Sequence, residues 1–162
     1  MPYLIIFAIL AAGVYFSLRG QKKDPLEQVN IWPYIKAPKP LDPLEISFYE
    51  ALTKYLDNSL VVCPKMPLEH IFYIPQNARL KRAMRDKLNG HYADFAICDK
   101  EMTLICIIVL DRDNDQNAAF RPALKKMAEN AGVQLFIIGT AYEYTSDMFS
   151  AINELYRGGS YH

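Results

Sequence analysis

The densest run of chemistry-bearing side chains is Asp111-Arg112-Asp113-Asn114-Asp115. Alternating acids of this kind open a calcium loop, in which a glycine at the sixth position makes the turn and a bidentate glutamate at the twelfth closes the shell. Those positions here are Gln116 and Pro122. The run therefore reads as a polar loop, not a calcium site. Cys63, Cys98 and Cys106 lie in apolar contexts at irregular spacings, without a C-x-x-C pair or a histidine at zinc-finger distance. They read as buried free thiols of a reducing compartment. His70, His91 and His162 are scattered and form no ligand pattern. No metal site follows from any of these groups.

A second concentration is basic. Arg79, Lys81, Arg82, Arg85 and Lys87 crowd one short stretch and are the candidate binding residues. Three uses fit them: contact with anionic lipid, contact with a nucleic acid backbone, or a plain solvated helix face. A cation beside an anionic leaflet contributes about 1 kcal/mol. No aromatic interleaves the charges, which disfavours single-strand binding. The whole chain is neutral, with eighteen Lys plus Arg against eighteen Asp plus Glu. Nothing global pulls it onto nucleic acid.

The elements that must hold these groups follow from periodicity. Asp42, Pro43 and Glu45 read as a capping box opening a helix whose buried face is Leu44, Phe48, Leu52, Tyr55 and Leu56. Ser59 to Cys63 predicts a short strand ended by Pro64, and Pro67 starts a short helix through Leu68, Ile71 and Phe72. Residues 79–88 predict a basic amphipathic helix with Leu80, Met84 and Leu88 inward, stopped by Asn89-Gly90. Tyr92 to Asp99 and Thr103 to Leu110 predict strands joined by a tight turn. Residues 117–131 predict a helix with Leu124, Met127, Ala128 and Ala131 inward, closed by Gly132. Val133 to Ile138 predicts another buried strand. Thr145 or Ser146 caps a last helix with Met148, Phe149, Ile152 and Leu155 inward. A strand–helix–strand crossover beside a hairpin implies an α/β domain with a mixed sheet covered by helices.

The N-terminus is different in kind. Tyr3 to Leu18 carries no charge, and Arg19, Lys22 and Lys23 follow at once. A membrane span needs roughly 20 apolar residues, with about 17 as the lower limit. Flanking cations and interfacial aromatics extend the reach of a short run. A cleaved signal peptide would open with a positive segment, and none precedes the run. The alternatives are that cleavage or a buried or interfacial helix of a soluble protein. The positive-inside rule puts the C-terminal side in the cytoplasm. The expected organisation is a transmembrane anchor over residues 1–19, a Pro-rich linker over 20–43, an α/β domain over 44–157 and a tail over 158–162. The linker holds Pro25, Pro33, Pro38, Pro40 and Pro43, half of all the prolines, so it stays extended and semi-rigid.

The element order resembles the restriction-endonuclease-like core, the PD-(D/E)XK nuclease superfamily. Residues 44–155 are similar to a small uncharacterised branch of it. That branch has an acid-initiated first helix, an Asp-Phe strand, a strand ending Glu-Leu-Asp, a downstream histidine, and an Asp-containing helix closed by an Ala-Gly turn. The matching segments here are Leu44 to Leu52, Ala93-Asp94-Phe95, Val109-Leu110-Asp111 and Ala131-Gly132-Val133. The departures fall on the chemistry. Val109 stands where the branch has its metal-binding glutamate, Asp115 where it has the histidine, and Pro122 near the helix aspartate. The resemblance makes Asp94, Asp111 and Glu45 vestigial site residues, with no catalytic residue and no resident metal.

Metal-assisted phosphodiester cleavage needs carboxylates to hold Mg²⁺ and a group to position water. The expectation is a degenerate nuclease-like head serving as a binding component of a bacterial inner-membrane complex, in conjugation or secretion machinery. Its expected partners are the membrane and other membrane-complex proteins, with nucleic acid only weakly supported. The alternative is a tethered Mg²⁺-dependent nuclease using Asp94, Asp111 and Asp113, for which Mg²⁺ is the cofactor.

Overall fold

In a computed structural model the described residues are Lys36, 38–112, 118–140 and 144–159. The apolar run Tyr3 to Leu18 and most of the linker lie outside them. Among the described residues no helix is long and apolar enough to cross a membrane.

Helix α1 spans Pro43–Tyr55 and begins as its capping box dictates. The Asp42 carboxylate accepts the Glu45 N–H at 2.9 Å, and the Glu45 carboxylate accepts the Asp42 N–H at 3.0 Å. Strand β1 is Val61–Pro67, and the four-residue helix α2 is Leu68–Ile71. Helix α3 is Lys81–Leu88, followed by strands β2 (Tyr92–Cys98) and β3 (Leu104–Asp111). Helix α4 is Arg121–Ala131, strand β4 is Gln134–Gly139, and helix α5 is Asp147–Arg157.

The strands form one sheet in the order β1-β2-β3-β4. β1/β2 and β2/β3 are antiparallel, whereas β3/β4 is parallel across the α4 crossover. The sheet is therefore mixed, and its central strands β2 and β3 are buried almost end to end. Period-two alternation sends their side chains into two cores. Phe95, Ile97, Ile108 and Leu110 pack with Phe48 and Leu52 of α1 and Phe149 and Ile152 of α5. Ala96, Ile107 and Val109 pack with Leu68, Leu88, Leu124 and Ala128 on the other face. The layering is helix, sheet, helix.

Several boundaries differ from the sequence reading. β1 runs through Pro64 to Pro67 instead of stopping at Cys63, because it is an edge strand and an edge tolerates missing donors. α3 starts at Lys81, because Leu80 adopts a left-handed backbone at φ 59° and cannot be helical. Leu80 and Met84 are exposed, so only Leu88 of the expected stripe is buried. Described helical structure in α4 begins at Arg121, and Ala131 is exposed instead of inward. Met148 is likewise exposed, while Phe149 and Ile152 carry the α5 contact. β4 is half-buried because it closes the other edge. Gly132 takes the left-handed closing position of α4 as expected, at φ 67°.

Candidate functional site

One end of the sheet gathers charges from four separate segments. Glu45 comes from the first turn of α1, where it is 1% exposed. Asp94 comes from β2 and is also buried. Lys65 lies on β1 between residues paired to Phe95 and Ala93, which sets it across from Asp94. Arg112 follows the last residue of β3.

These four side chains, with Asp42, form one ion-pair cluster. Arg112 donates to Asp42 at 2.9 Å, to Asp94 at 3.0 Å, and to Glu45. Lys65 donates to Glu45 and lies 3.8 Å from the Asp94 carboxylate. The second Asp94 oxygen accepts the Leu110 N–H at 2.8 Å. The Lys65 amine also sits over the Tyr92 ring, 4.4 Å from its centroid. Lys65 reaches this position from a left-handed backbone, φ 53°. A non-glycine residue adopts that region rarely, and such outliers gather at functional sites.

The electrostatics follow from burial set against these bonds. Burial pushes Glu45 up, but donation from Lys65, Arg112 and the Asp42 N–H outweighs it, so its carboxyl lies below its ordinary value. Asp94 goes the other way. Its burial exceeds the help from the Leu110 N–H, Arg112 and Lys65, and the Glu45 charge adds to the rise. Burial works to lower both cations, but the bond each donates to Glu45 leads the effects that hold them above their ordinary values.

Phe95 faces Ile108 in the β2/β3 ladder, so the next pair outward brings Asp94 beside Val109. Both line a small cavity with His91, Phe120 and Arg121. His91 stacks on Phe120 with ring centroids 3.8 Å apart.

A divalent cation does not fit the donors present. The Glu45 and Asp94 oxygens facing the cluster are held by Arg112 and Lys65. Val109, which lines the same small cavity as Asp94, supplies no ligand atom. No group of three or more His, Cys, Asp or Glu able to hold a metal occurs among the described residues.

Of the three residues to which the resemblance points, the fold joins Glu45 and Asp94 in one ion-pair cluster and pairs Asp111 elsewhere. Asp111 is half exposed and pairs with Arg121 at the start of α4. Asp113 and Asp115 lie outside the described residues, and Pro122 is in the first turn of α4. The basic residues Arg79, Arg82, Arg85 and Lys87 are exposed on and before α3, with Lys81 half-buried and bonded to Gln76 at 2.6 Å. The ion-pair cluster draws its cations from Lys65 and Arg112 instead. All three cysteines are free, Cys63 half-buried and the other two buried. Burial raises the Cys98 thiol to about 11 and the Cys106 thiol to about 12, so both stay protonated and unreactive at neutral pH.

The sequence reading did not single out Lys65, and took Arg112 only as part of a polar loop. No local pattern marks either one. The one available signal is positional: Lys65 sits between Pro64 and Pro67, and Arg112 closes a continuous apolar strand.

No curated protein and no solved structure matches the chain. A family model described as a protein of unknown function, DUF2726, matches residues 39–155, which contain every member of the ion-pair cluster. On that match, which covers most of its length, the chain belongs to the DUF2726 family.

Proposed function

We propose that this chain is a membrane-tethered, non-catalytic binding module, with a head of restriction-endonuclease-like ancestry, in a bacterial inner-membrane complex. The carrying observation is the occupancy of Glu45 and Asp94. The two buried carboxylates best placed to grip a divalent ion are neutralised internally by Arg112 and Lys65. Val109 beside Asp94 removes the remaining ligand position. A cluster so satisfied holds α1, β1, β2 and the end of β3 in register, and leaves the outer surface to do the binding. The mixed sheet with helices on both faces agrees with the nuclease-like resemblance, and the uncharged N-terminal run with the tether. A multiprotein assembly such as a conjugation or secretion apparatus suits a head of this kind.

A second reading is supported by Lys65. Glu45, Asp94 and a lysine converge in one place, and an ammonium beside two carboxylates is a group that positions water. In that reading the head is a tethered Mg²⁺-dependent nuclease, and Glu45 and Asp94 would hold the ion in place of their bonds to Arg112.

The two readings separate in a plasmid assay on the detergent-solubilised full chain with Mg²⁺ or Mn²⁺. The expected result is no nicking above buffer. Nicking that is abolished by Asp94→Asn and by Lys65→Met would overturn the non-catalytic reading and establish the second.

A further inference from the structure

Tyr73, Leu80 and Met84 are 79%, 77% and 47% exposed, unusual for side chains of their size. Tyr73 and Met84 line one groove beside α3, and Leu80 immediately precedes that helix. Tyr73 lines grooves on both sides of that helix, one shared with Met84, Lys87 and Met127, the other with Lys81 and Arg85. Leu88 is the buried residue that pins the helix down. Arg79 and Arg82 are exposed on and before the same helix, so five cations share this short segment with the exposed apolar side chains. The acids nearby are Glu69, in the Lys81 groove, and Asp86, within α3. Scattered apolar residues on a surface need no explanation, but a patch rimmed by five cations against two acids does.

We infer that α3 and the segment Phe72–Ile74 form a docking face for an anionic lipid bilayer. Tyr73, Leu80 and Met84 enter the headgroup boundary, while Arg79, Arg82, Arg85 and Lys87 meet lipid phosphates. Exposed apolar side chains and cations are the two contributions on which binding to an anionic interface draws. The left-handed Leu80 fits this use, because its side chain stands in solvent just before the helix starts. A nucleic acid backbone would reward the cations and gain nothing from exposed leucine and methionine. The face deepens the tethered-head reading and rests on it, since a chain held at a bilayer meets the face at high effective concentration.

The test uses the full chain carrying Met84→Cys labelled with an environment-sensitive fluorophore. The parent chain treated identically sets the background from Cys63. Vesicles contain phosphatidylcholine alone or with phosphatidylglycerol. The label should shift to the blue only with phosphatidylglycerol. Combining Arg79→Gln, Arg82→Gln, Arg85→Gln and Lys87→Gln should raise the anionic lipid needed for half the shift by at least about a hundredfold, given the usual contribution of each cation. These exposed positions leave the cores intact, which circular dichroism checks. Sedimentation of the same samples reads the tether separately. A chain that pellets with both vesicle types while its label stays in water keeps the tether and overturns the face. A chain that remains in the supernatant, its label unshifted, overturns both. A shift produced by duplex DNA and not by anionic vesicles, or one unaffected by the four substitutions, also overturns the face.

Discussion

Replacing Arg112 by alanine is expected to destabilise the head by about 2–3 kcal/mol, read from the urea midpoint. Removing one partner of a buried ion pair typically costs about 3–5 kcal/mol, because it strands an uncompensated charge. The lower figure applies here because Lys65 remains and Arg112 is 28% exposed. The loss should depend on pH in a definite direction. In the parent chain Glu45 lies below its ordinary value of 4.5. Its contribution is therefore complete above that value and is lost as pH falls through the lowered one. Without Arg112, Glu45 loses one of the bonds that lower it and Asp94 one of the charges that oppose its rise, so both titrate higher than in the parent chain. A raised carboxyl favours the folded state below its ordinary value and loses that advantage as pH rises. The deficit of the variant should accordingly be largest at neutral pH and shrink on acidification through the region of 4.5. Arg112→Lys should recover only part of it, since an ammonium cannot present a planar fork to three carboxylates.

Phe48→Ala is expected to cost about 3–5 kcal/mol, the usual range for deleting a buried ring. Phe48 is 0% exposed, and its ring centroid lies 4.9 Å from Tyr144, 5.4 Å from Phe95 and 5.6 Å from Phe149. It thus joins α1, β2, the approach to α5 and α5 itself in one aromatic cluster. Its loss opens a cavity that four elements would have to close together. This deficit carries no charge, so it should be nearly constant over the pH range in which the Arg112→Ala deficit shrinks. Parallel denaturation series on the two variants therefore separate packing from electrostatics at neighbouring sites.

Much of this framework was legible in the amino-acid sequence because it is written locally. The Asp42/Glu45 box, the apolar runs of β2 and β3, and Gly132 each carry their cause within a few residues. The misreadings have physical origins. Pro64 looks like a strand end, yet an edge strand passes through it. Leu80 and Met84 have helical spacing, yet a left-handed Leu80 and a surface position turn that stripe outward. The candidate site was only half legible. Glu45 and Asp94 were identified through a resemblance, whereas their partners Lys65 and Arg112 lie 20 and 67 residues from Glu45. Ion pairs across such separations are created by sheet register and crossover, and no periodicity encodes them. Asp111 shows the converse. It looks chemically apt in the sequence, but its position at the end of β3 hands it to Arg121 on the rim.

Whether Glu45 and Asp94 are already spoken for decides between the binding module and the nuclease. The most direct measurement is a carboxyl ¹³C titration of the full chain in micelles, with the two signals assigned through Glu45→Gln and Asp94→Asn. Glu45 should titrate below its ordinary value and Asp94 above its own, and neither signal should move when millimolar Mg²⁺ is added at neutral pH. Saturable Mg²⁺-dependent movement of both signals would show a working cation site where the account describes a sealed cluster of ion pairs.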